Sequence, residues 1–293
     1  VDLGGFTKNS RTGIFAMRAA PVQVNYLGYP GTMAADYMDY IIADHTIIPE
    51  DKKHHYSESI AYLPYSYMVT DSKTKSPTIQ FTREDAGLPV NGFVFCCFNQ
   101  HYKITPITFS IWMKILIQVE GSILWLSDTN RGVISNLKLE AIKNGVEGDR
   151  LIFAPRLAFK EDHLSRMQLA DLFLDTLPYN AHTTSSDALR MGVPVLTCIG
   201  KSFTSRVASS LLNAVNLPEL IVTSQDQYES FAIKLATNSE EFKSIKNKLV
   251  NNLSTAPLYD TKLFTKHLEY AFIKMNEKYY KGIDPEDIYV ELS

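Results

Sequence analysis

The stretch DLFLDTLPYNAHTTSSDALRMGVPVLT, residues 171–197, decides the fold of this chain. The apolar run DLFLD is followed by a polar segment, then by TSSDALRM, which has helical character, and by a second apolar run, VPVLT. Strand, short helix and strand in this order form a β–α–β unit whose two strands lie parallel in one sheet. The polar segment carries His182, Thr183 and Thr184 where the helix begins. The stretch therefore predicts a parallel α/β sheet with polar chemistry at a strand end.

The same alternation of strand and helix extends over residues 92–222. Its other strand-like runs are GFVFCCF, SILWLS, RLIFAP and LIV, and amphipathic helical segments separate them. Thr105 followed by Pro106 marks a helix start, and Gly121 marks the end of that helix. Before residue 70 the short runs PVQVNYLGYPGT, DYIIAD and IAYLP predict strands, and after residue 224 we expect three helices, the last over about Thr261 to Tyr280. This pattern predicts a parallel sheet with helices on both faces.

The composition excludes several classes of protein. With 293 residues and 45% hydrophobic residues, the chain is long enough for two domains, each with its own core. A net charge of -3 argues against a nucleic-acid-binding protein, and no apolar run reaches the length of a membrane span. Cys96 and Cys97 are adjacent, and with Cys198 the number of cysteines is odd. We therefore expect no disulfide framework and a reducing, cytoplasmic location.

The polar cluster at the start of the short helix has two interpretations. Thr184 and Asp187 stand three residues apart, as in a capping box, and capping alone would explain them. However, ligands of open parallel sheets bind beyond the carboxyl ends of the strands, and the cluster follows such an end. A helix N-terminus with free N–H groups also binds anions. The position therefore favours a phosphate or diphosphate site.

Two further strand ends carry polar side chains. They are Asn99, Gln100, Tyr102 and Lys103 after GFVFCCF, and Lys160, His163 and Arg166 after RLIFAP. Taken alone, the first group is typical of a turn and the second of a solvated helix face. Three polar groups at three strand ends of one predicted sheet instead indicate a polyanion that also needs hydrogen bonds. A nucleotide sugar fits this requirement.

Other nucleotide and metal chemistries lack their motifs. The chain has neither a G-x-G-x-x-G sequence nor a Walker loop, no zinc-ligand spacing and no G-x-S-x-G elbow. No Asp-x-Asp pair is present to hold a metal on a diphosphate. Without a metal, Lys103 and backbone amides would have to neutralise the charge of a departing phosphate.

Several long motifs, in order, resemble one enzyme family. The motifs are GFTKNSRTGIFAMRAAPVQVNYLGYPGT, FCCFNQHYKITP, LAFKEDHLSRMQLADLFLDTLPYNAHTTSSDALRMGVPVLT and SRVASSLL. They are similar to the catalytic region of the protein O-linked N-acetylglucosamine transferases. The resemblance implies a GT-B fold, with a Rossmann-like back lobe, and an inverting, metal-independent reaction without a cofactor. It also implies UDP-GlcNAc as donor, Ser or Thr of an acceptor protein as acceptor, and tetratricopeptide repeats upstream.

The resemblance also implies roles for individual residues. Gln100, Lys103, Thr183 and Thr184 would bind the diphosphate, and Lys103, His182 and Tyr102 are the catalytic candidates. Lys160 and Asp187 would reach the ribose, and Ala158, His163 and Arg166 would surround the uracil. Leu27, Gly28 and Pro30 would line the sugar pocket from the front lobe.

The resemblance further predicts the domain bounds. We expect residues 1–85 to form part of the front lobe, residues 86–258 the UDP-binding lobe, and residues 259–293 a C-terminal helix and tail that pack toward the front lobe. The short linker at 70–90 is similar to that of bacterial members. Because the chain begins inside the family's front lobe, we expect that lobe to be incomplete.

Three alternatives remain open from the sequence. The donor could be a GDP-fucose or a glucose nucleotide, since relatives of the same architecture use them. A UDP-sugar epimerase would need acid and base residues in the front lobe, and no suitable carboxylate pair is evident. The chain alone could also bind a nucleotide without transferring a sugar.

Overall fold

The computed structural model describes residues 1–73, 79–128 and 130–291. The chain divides into two compact units. The first comprises Val1–Ser72, Lys201–Ala214 and Thr255–Ser293, and the second comprises Lys73–Gly200 and Val215–Ser254.

Strands and helices alternate along most of the described chain. The strands are β1 (Val24–Asn25), β2 (Tyr40–Asp44), β3 (Ser59–Leu63), β4 (Val94–Cys97), β5 (Ile123–Ser127), β6 (Leu151–Ala154), β7 (Leu172–Leu174), β8 (Val195–Cys198), β9 (Ile221–Val222) and β10 (Ile288–Tyr289). The helices are α1 (Thr12–Ala16), α2 (Pro106–Gln118), α3 (Arg131–Lys143), α4 (Lys160–Met167), α5 (Thr183–Arg190), α6 (Val207–Ala214), α7 (Gln225–Thr237), α8 (Ser239–Leu253) and α9 (Thr261–Tyr280). None of these described helices is long and apolar enough to cross a bilayer.

The second unit is built on one parallel sheet with the order β6-β5-β4-β7-β8-β9. Counted from β4 as the first strand, this is the strand order of the Rossmann fold. The direction in which strands are added reverses between β4 and β7, and ligands of such sheets bind in the crevice at that point. The predicted Rossmann-like sheet is therefore confirmed, and the strand order locates its crevice.

The central strands of this sheet are buried along their whole length. All residues of β4 and β8 are buried, as expected for a parallel sheet covered on both faces. Cys96 and Cys97 lie in β4 with free thiols, and burial raises the pKa of both. They pack as small apolar residues inside the sheet.

Helix α2 begins where the sequence predicts and packs against α7. The Thr105 hydroxyl accepts the N–H of Thr108 at 3.2 Å, and proline occupies the first turn. The Trp112 indole donates to the Tyr228 hydroxyl at 3.3 Å, and that hydroxyl donates to the Asp175 carbonyl at 2.9 Å. These bonds join both helices to the end of β7.

The first unit contains a smaller parallel sheet with the order β1-β2-β3-β10. The C-terminal strand β10 runs beside β3, because the N–H of Val290 donates to the Tyr62 carbonyl at 3.0 Å. The Asp287 carboxylate accepts the N–H of Ile60 at 2.7 Å and extends this pairing. The C-terminal segment thus belongs to the first unit.

The bounds of the two units differ from the predicted bounds in three places. The first unit ends at Ser72 instead of residue 85, residues 201–214 belong to it instead of to the predicted nucleotide-binding lobe, and it resumes at Thr255 instead of residue 259. The physical reason for the second difference is a buried carboxylate at the end of β2. Asp44 accepts the Ser210 hydroxyl at 2.6 Å, and Arg206 donates to the Thr46 carbonyl at 2.5 Å.

Candidate functional site

The crevice of the second unit is lined where β4 and β7 end side by side. Asn99 follows β4 and Thr176 follows β7, and the Asn99 amide donates to the Thr176 hydroxyl at 2.7 Å. Asn99 is only 4% exposed, so this bond is sheltered from water. The two strand ends are therefore held together at the point where the strand order reverses.

Helix α5 is tied to the same point by a side chain that the sequence had suggested as a cap. The Thr184 hydroxyl donates to Asn99 Oδ1 at 2.5 Å. The helix begins at Thr183 with His182 as its N-cap residue, and His182 makes no side-chain capping bond. The capping-box interpretation of Thr184 and Asp187 is therefore wrong, because the hydroxyl serves tertiary packing.

The start of α5 also presents the groups that an anion needs. The first N–H groups of a helix have no partner within the helix, and the helix dipole favours negative charge there. Thr183 is exposed at this end, and His182 lies against the Tyr179 ring with the ring centroids 5.2 Å apart. The structure thus brings Thr183, Thr184 and His182 together at one helix start.

Lys103 stands beside this helix start and is half-buried. Its ammonium donates to the Asn180 carbonyl at 2.8 Å and lies 3.9 Å from the centroid of the Tyr179 ring. Burial lowers the pKa of the Lys103 ammonium, and the carboxyl of Asp175 acts in the opposite direction. Its position provides one positive charge next to the N-terminus of α5.

Tyr102 and Gln100 belong to the same turn after β4. Tyr102 is 67% exposed, and its ring lies edge-on to that of Tyr179 at 6.4 Å. Gln100 is exposed at the mouth of the neighbouring cleft. Both predicted residues are therefore accessible to a ligand.

Asp175 is a fully buried carboxyl that the sequence analysis did not select. Its carboxyl oxygens accept the N–H of Thr176 at 2.8 Å, the N–H of Ala181 at 2.6 Å and the Thr197 hydroxyl at 2.6 Å. Burial raises the pKa of Asp175 to about 7, and these hydrogen bonds and Lys103 oppose that shift. An aspartate that closes an otherwise apolar strand run was the signal in the sequence.

Helix α4 supplies a second group of predicted residues. Arg166 is only 6% exposed, its guanidinium donates to the Pro155 carbonyl at 2.5 Å, and it contacts His163 Nδ1 at 3.2 Å. Burial, followed by the charge of Arg166, lowers the pKa of His163 to about 4. The solvated-face interpretation is therefore wrong for Arg166 and His163, whereas the Lys160 side chain is exposed.

A cleft of about 870 Å³ opens beside α4. Its lining includes the predicted residues Gln100, Ala158, Lys160, His163 and Arg166, together with Ser127, Asp128, Asn130, Arg156 and Phe159, which were not predicted. The unpredicted residues follow β5 and β6, so the topology places them at the same sheet edge as the others.

The cleft and the start of α5 are connected by an ion pair. Lys160 Nζ lies 3.4 Å from a carboxylate oxygen of Asp187, which joins α4 to α5. Burial raises the pKa of Asp187, and Lys160 opposes this shift. Most predicted residues of this unit thus lie in two adjoining places, the start of α5 and the cleft beside α4.

Leu27, Gly28 and Pro30 belong to the first unit and follow β1. Leu27 has a φ of 69°, and the N–H of Gly28 donates to the Tyr26 carbonyl at 2.9 Å. A Cβ atom on Gly28 would lie 1.9 Å from the Leu3 carbonyl oxygen, so only glycine fits there. Their predicted contact with a sugar stays a prediction.

Over the described ranges, no group of three or more His, Cys, Asp and Glu side chains is arranged to hold a metal ion.

Sequence comparisons show which known proteins this chain resembles. The profile described as glycosyl transferase family 41 matches residues 1–80 and 72–268. The chain is 39% identical to the probable UDP-N-acetylglucosamine–peptide N-acetylglucosaminyltransferase SEC of Arabidopsis thaliana, over 98% of this chain and 30% of that protein. It is 27% identical to the UDP-N-acetylglucosamine–peptide N-acetylglucosaminyltransferase of Caenorhabditis elegans, over 98% of this chain and 35% of that protein. The chain thus spans about a third of the length of these relatives.

Comparison with solved structures identifies the fold. A mutant of the Thermobaculum terrenum O-GlcNAc transferase superposes with a TM-score of 0.86 at 30% identity, over 96% of this chain and 53% of that one. Anabaena HepE in complex with UDP superposes with a TM-score of 0.53 at 16% identity, over 85% of this chain and 65% of that one, which is a likeness of fold alone. The predicted GT-B fold is confirmed by the first of these matches.

Proposed function

Because the chain belongs to glycosyl transferase family 41, we propose that it is part of a protein O-GlcNAc transferase. The enzyme transfers N-acetylglucosamine from UDP-GlcNAc to a Ser or Thr hydroxyl of an acceptor protein. The names of the relatives, which are UDP-N-acetylglucosamine–peptide N-acetylglucosaminyltransferases, support the donor and the peptide acceptor. Upstream tetratricopeptide repeats that bind the acceptor are part of the same proposal.

The observation that carries the proposal is the place of Lys103 beside the start of α5. Transfer with inversion is a single displacement at the anomeric carbon. The acceptor oxygen forms the new C–O bond and releases its proton to solvent, while UDP leaves with the electron pair of the broken bond. Charge then builds up on the diphosphate. The Lys103 ammonium and the N–H groups of α5 would stabilise that charge, as preorganised donors do in other enzymes.

The nucleoside half of the donor would occupy the cleft beside α4. His163 is neutral above pH 5 because its pKa is lowered to about 4, so it can both donate and accept a hydrogen bond at neutral pH. The backbone at Ala158 would meet the uracil edge, with Arg166 holding His163 in place. The ion-paired Lys160 and Asp187 would meet the ribose hydroxyls. In this proposal the base is the uracil of UDP-GlcNAc.

The proposed reaction uses no metal ion. The positive groups at the phosphate end are Lys103 and the helix N-terminus, and they take the place of a divalent cation on the diphosphate. A transferase of this kind keeps its activity and its affinity for UDP when chelators are present.

Calorimetric titration of the chain with UDP, GDP and UDP-GlcNAc tests this function. We expect micromolar affinity for UDP, unchanged by EDTA, and little affinity for GDP. The Lys103→Ala variant loses a hydrogen bond from a charged donor, so UDP affinity falls by roughly 10-fold to 100-fold. Turnover by the full-length enzyme falls by on the order of 100-fold or more, because charge on the leaving group is no longer stabilised.

A matched control is Lys143→Ala, which removes an exposed lysine from the last turn of α3. Its UDP affinity should equal that of the wild type. If Lys103→Ala bound UDP as tightly as the wild type, Lys103 would not contact the diphosphate. Absence of nucleotide binding in the wild type would contradict the proposed function of this chain.

A further inference from the structure

A short turn after β7 makes contacts with Lys103 that the resemblance did not assign. The turn runs from Thr176 to Ala181, and the Asp175 carboxyl closes it by accepting the N–H groups of both end residues, at 2.8 and 2.6 Å. The Thr176 hydroxyl donates to the Tyr179 carbonyl at 2.6 Å inside the turn. The turn is therefore held at both ends and in the middle.

Two groups of this turn meet the ammonium of Lys103. The Asn180 carbonyl accepts one of its protons at 2.8 Å, and the Tyr179 ring lies against it with the centroid at 3.9 Å. An ammonium has three N–H donors, so the two contacts restrict its position while leaving donors for a ligand. The face of an aromatic ring attracts a cation at this distance, more strongly when both are partly desolvated.

The free lysine side chain has four rotatable bonds and would otherwise sample many positions. Charge stabilisation in catalysis depends on donors that are already in place when the charge develops. We propose that Tyr179 is a positioning residue, whose ring holds the Lys103 ammonium toward the diphosphate of the donor. This inference rests on the proposed function for the identity of the ligand, but not for the contact itself.

The ring, and not the phenolic hydroxyl, carries this role. The contact with Lys103 is to the ring face, and the rings of Tyr102 and His182 pack at the sides of Tyr179. Tyr179→Phe keeps the ring and is the matched control. Tyr179→Leu keeps an apolar side chain but removes the attraction for the cation.

Chemical labelling tests the contact without any ligand. Reductive methylation of the intact chain, quantified by peptide mass spectrometry, reports the reactivity of each lysine. We expect Lys103 to react about 3-fold to 10-fold faster in Tyr179→Leu than in the wild type, in line with the strength of a partly buried cation–π contact. Tyr179→Phe should react like the wild type, and exposed Lys143 should react equally in all three. An unchanged Lys103 rate in Tyr179→Leu would overturn the inference.

UDP titration tests the consequence for the ligand. We expect Tyr179→Leu to weaken UDP binding about 5-fold to 30-fold and Tyr179→Phe to change it less than about 2-fold. In a Lys103→Ala background, Tyr179→Leu should have almost no further effect, because its contribution acts through the lysine. If Tyr179→Leu weakened UDP binding equally in the wild type and in the Lys103→Ala variant, Tyr179 would act through packing alone. That result would also overturn the inference.

The two proposals fail in different ways. If the wild type binds no UDP, the proposed function and the role of Tyr179 in ligand binding are both overturned. If the wild type binds UDP and Lys103→Ala does not, but Tyr179→Leu binds like the wild type, only the inference about Tyr179 is overturned. The thermal midpoints of the variants, measured alongside, identify any loss that comes from unfolding.

Discussion

His163 is kept neutral first by its burial and then by the charge of its neighbour Arg166, which lowers the pKa of the imidazole further. Arg166 is buried and donates to the Pro155 carbonyl, which fixes its guanidinium next to His163. Burial against the Phe98 ring, with the ring centroids 5.2 Å apart, disfavours the charged form of His163, and the cation beside it adds to this effect. The imidazole is therefore kept neutral, which suits contact with an uncharged base.

This pair makes a prediction about pH. The pKa of His163 is lowered to about 4 in the native state, against about 6.5 in an unfolded chain. Between these values the unfolded state binds a proton that the native state does not. The unfolding free energy contributed by this site should therefore fall as the pH decreases from 6.5 toward 4.

Urea unfolding of the wild type and His163→Gln at pH 7 and pH 4.5 measures the effect. From pH 7 to pH 4.5, the unfolding free energy of the wild type should fall by on the order of 2 kcal/mol more than that of the variant. Comparison with the variant cancels the pH dependence that other groups contribute to the unfolding free energy. Asp175 is one of them, and because its pKa is raised, its contribution increases as the pH falls. An NMR titration of the imidazole with a midpoint near 6.5 would contradict the prediction.

At the scale of elements, helix α5 shows that a good local capping pattern does not decide where a side chain bonds. The pattern of Thr184 and Asp187 suits a cap, yet the Thr184 hydroxyl reaches across to Asn99 and the Asp187 carboxylate reaches across to Lys160. Both side chains thus fasten α5 to other elements of the crevice. By contrast, Thr105 caps α2 as predicted, because its hydroxyl can accept the N–H of Thr108 at 3.2 Å while it donates to the Leu177 carbonyl at 3.3 Å.

Thr184→Val tests the attachment of α5. The variant keeps the shape of threonine but leaves the buried Oδ1 of Asn99 without its donor. We expect the unfolding free energy to fall by about 1–2 kcal/mol, measured by denaturant unfolding. Thr184→Ser keeps the hydroxyl, so its unfolding free energy should fall less than that of Thr184→Val. A valine variant as stable as the wild type would show that the bond contributes nothing to stability.

At the scale of the whole molecule, the chain passes between the two units more than once. Residues 201–214 and 255–293 join the first unit although residues 73–200 and 215–254 form the second. Asp44 explains the first of these segments. It is buried at 2% exposure and accepts the N–H groups of Thr46, Ile47 and Tyr67, each at 2.9 Å, in addition to the hydroxyl of Ser210.

Asp44→Ala should therefore destabilise the first unit strongly. Three N–H groups lose their buried acceptor, and each unsatisfied group costs about 1–3 kcal/mol. We therefore expect the unfolding free energy to fall by on the order of 4 kcal/mol. Far-ultraviolet circular dichroism during urea unfolding measures it. Ser210→Ala removes a single donor and should cost about 1 kcal/mol. A loss below 1 kcal/mol in Asp44→Ala would contradict the role given to this carboxyl.

The sequence by itself determined the alternation of strands and helices, the parallel sheet, the start of α2 and the family. These features depend on local periodicity, on caps and on motifs of neighbouring residues, which can be read along the chain. It also selected Lys103, His163 and Arg166 as candidate site residues, because polar residues after apolar strands mark one edge of a parallel sheet.

Only the tertiary structure decided which strands lie side by side and therefore where the crevice opens. The order β6-β5-β4-β7-β8-β9 places the turn after β7 next to Lys103, and nothing local in the sequence assigns Tyr179 to a contact with that lysine. The same holds for α6, which a carboxylate over 160 residues away in the chain draws into the first unit. Bonds between such distant positions depend on how the whole chain packs, and that packing is not encoded in any single segment.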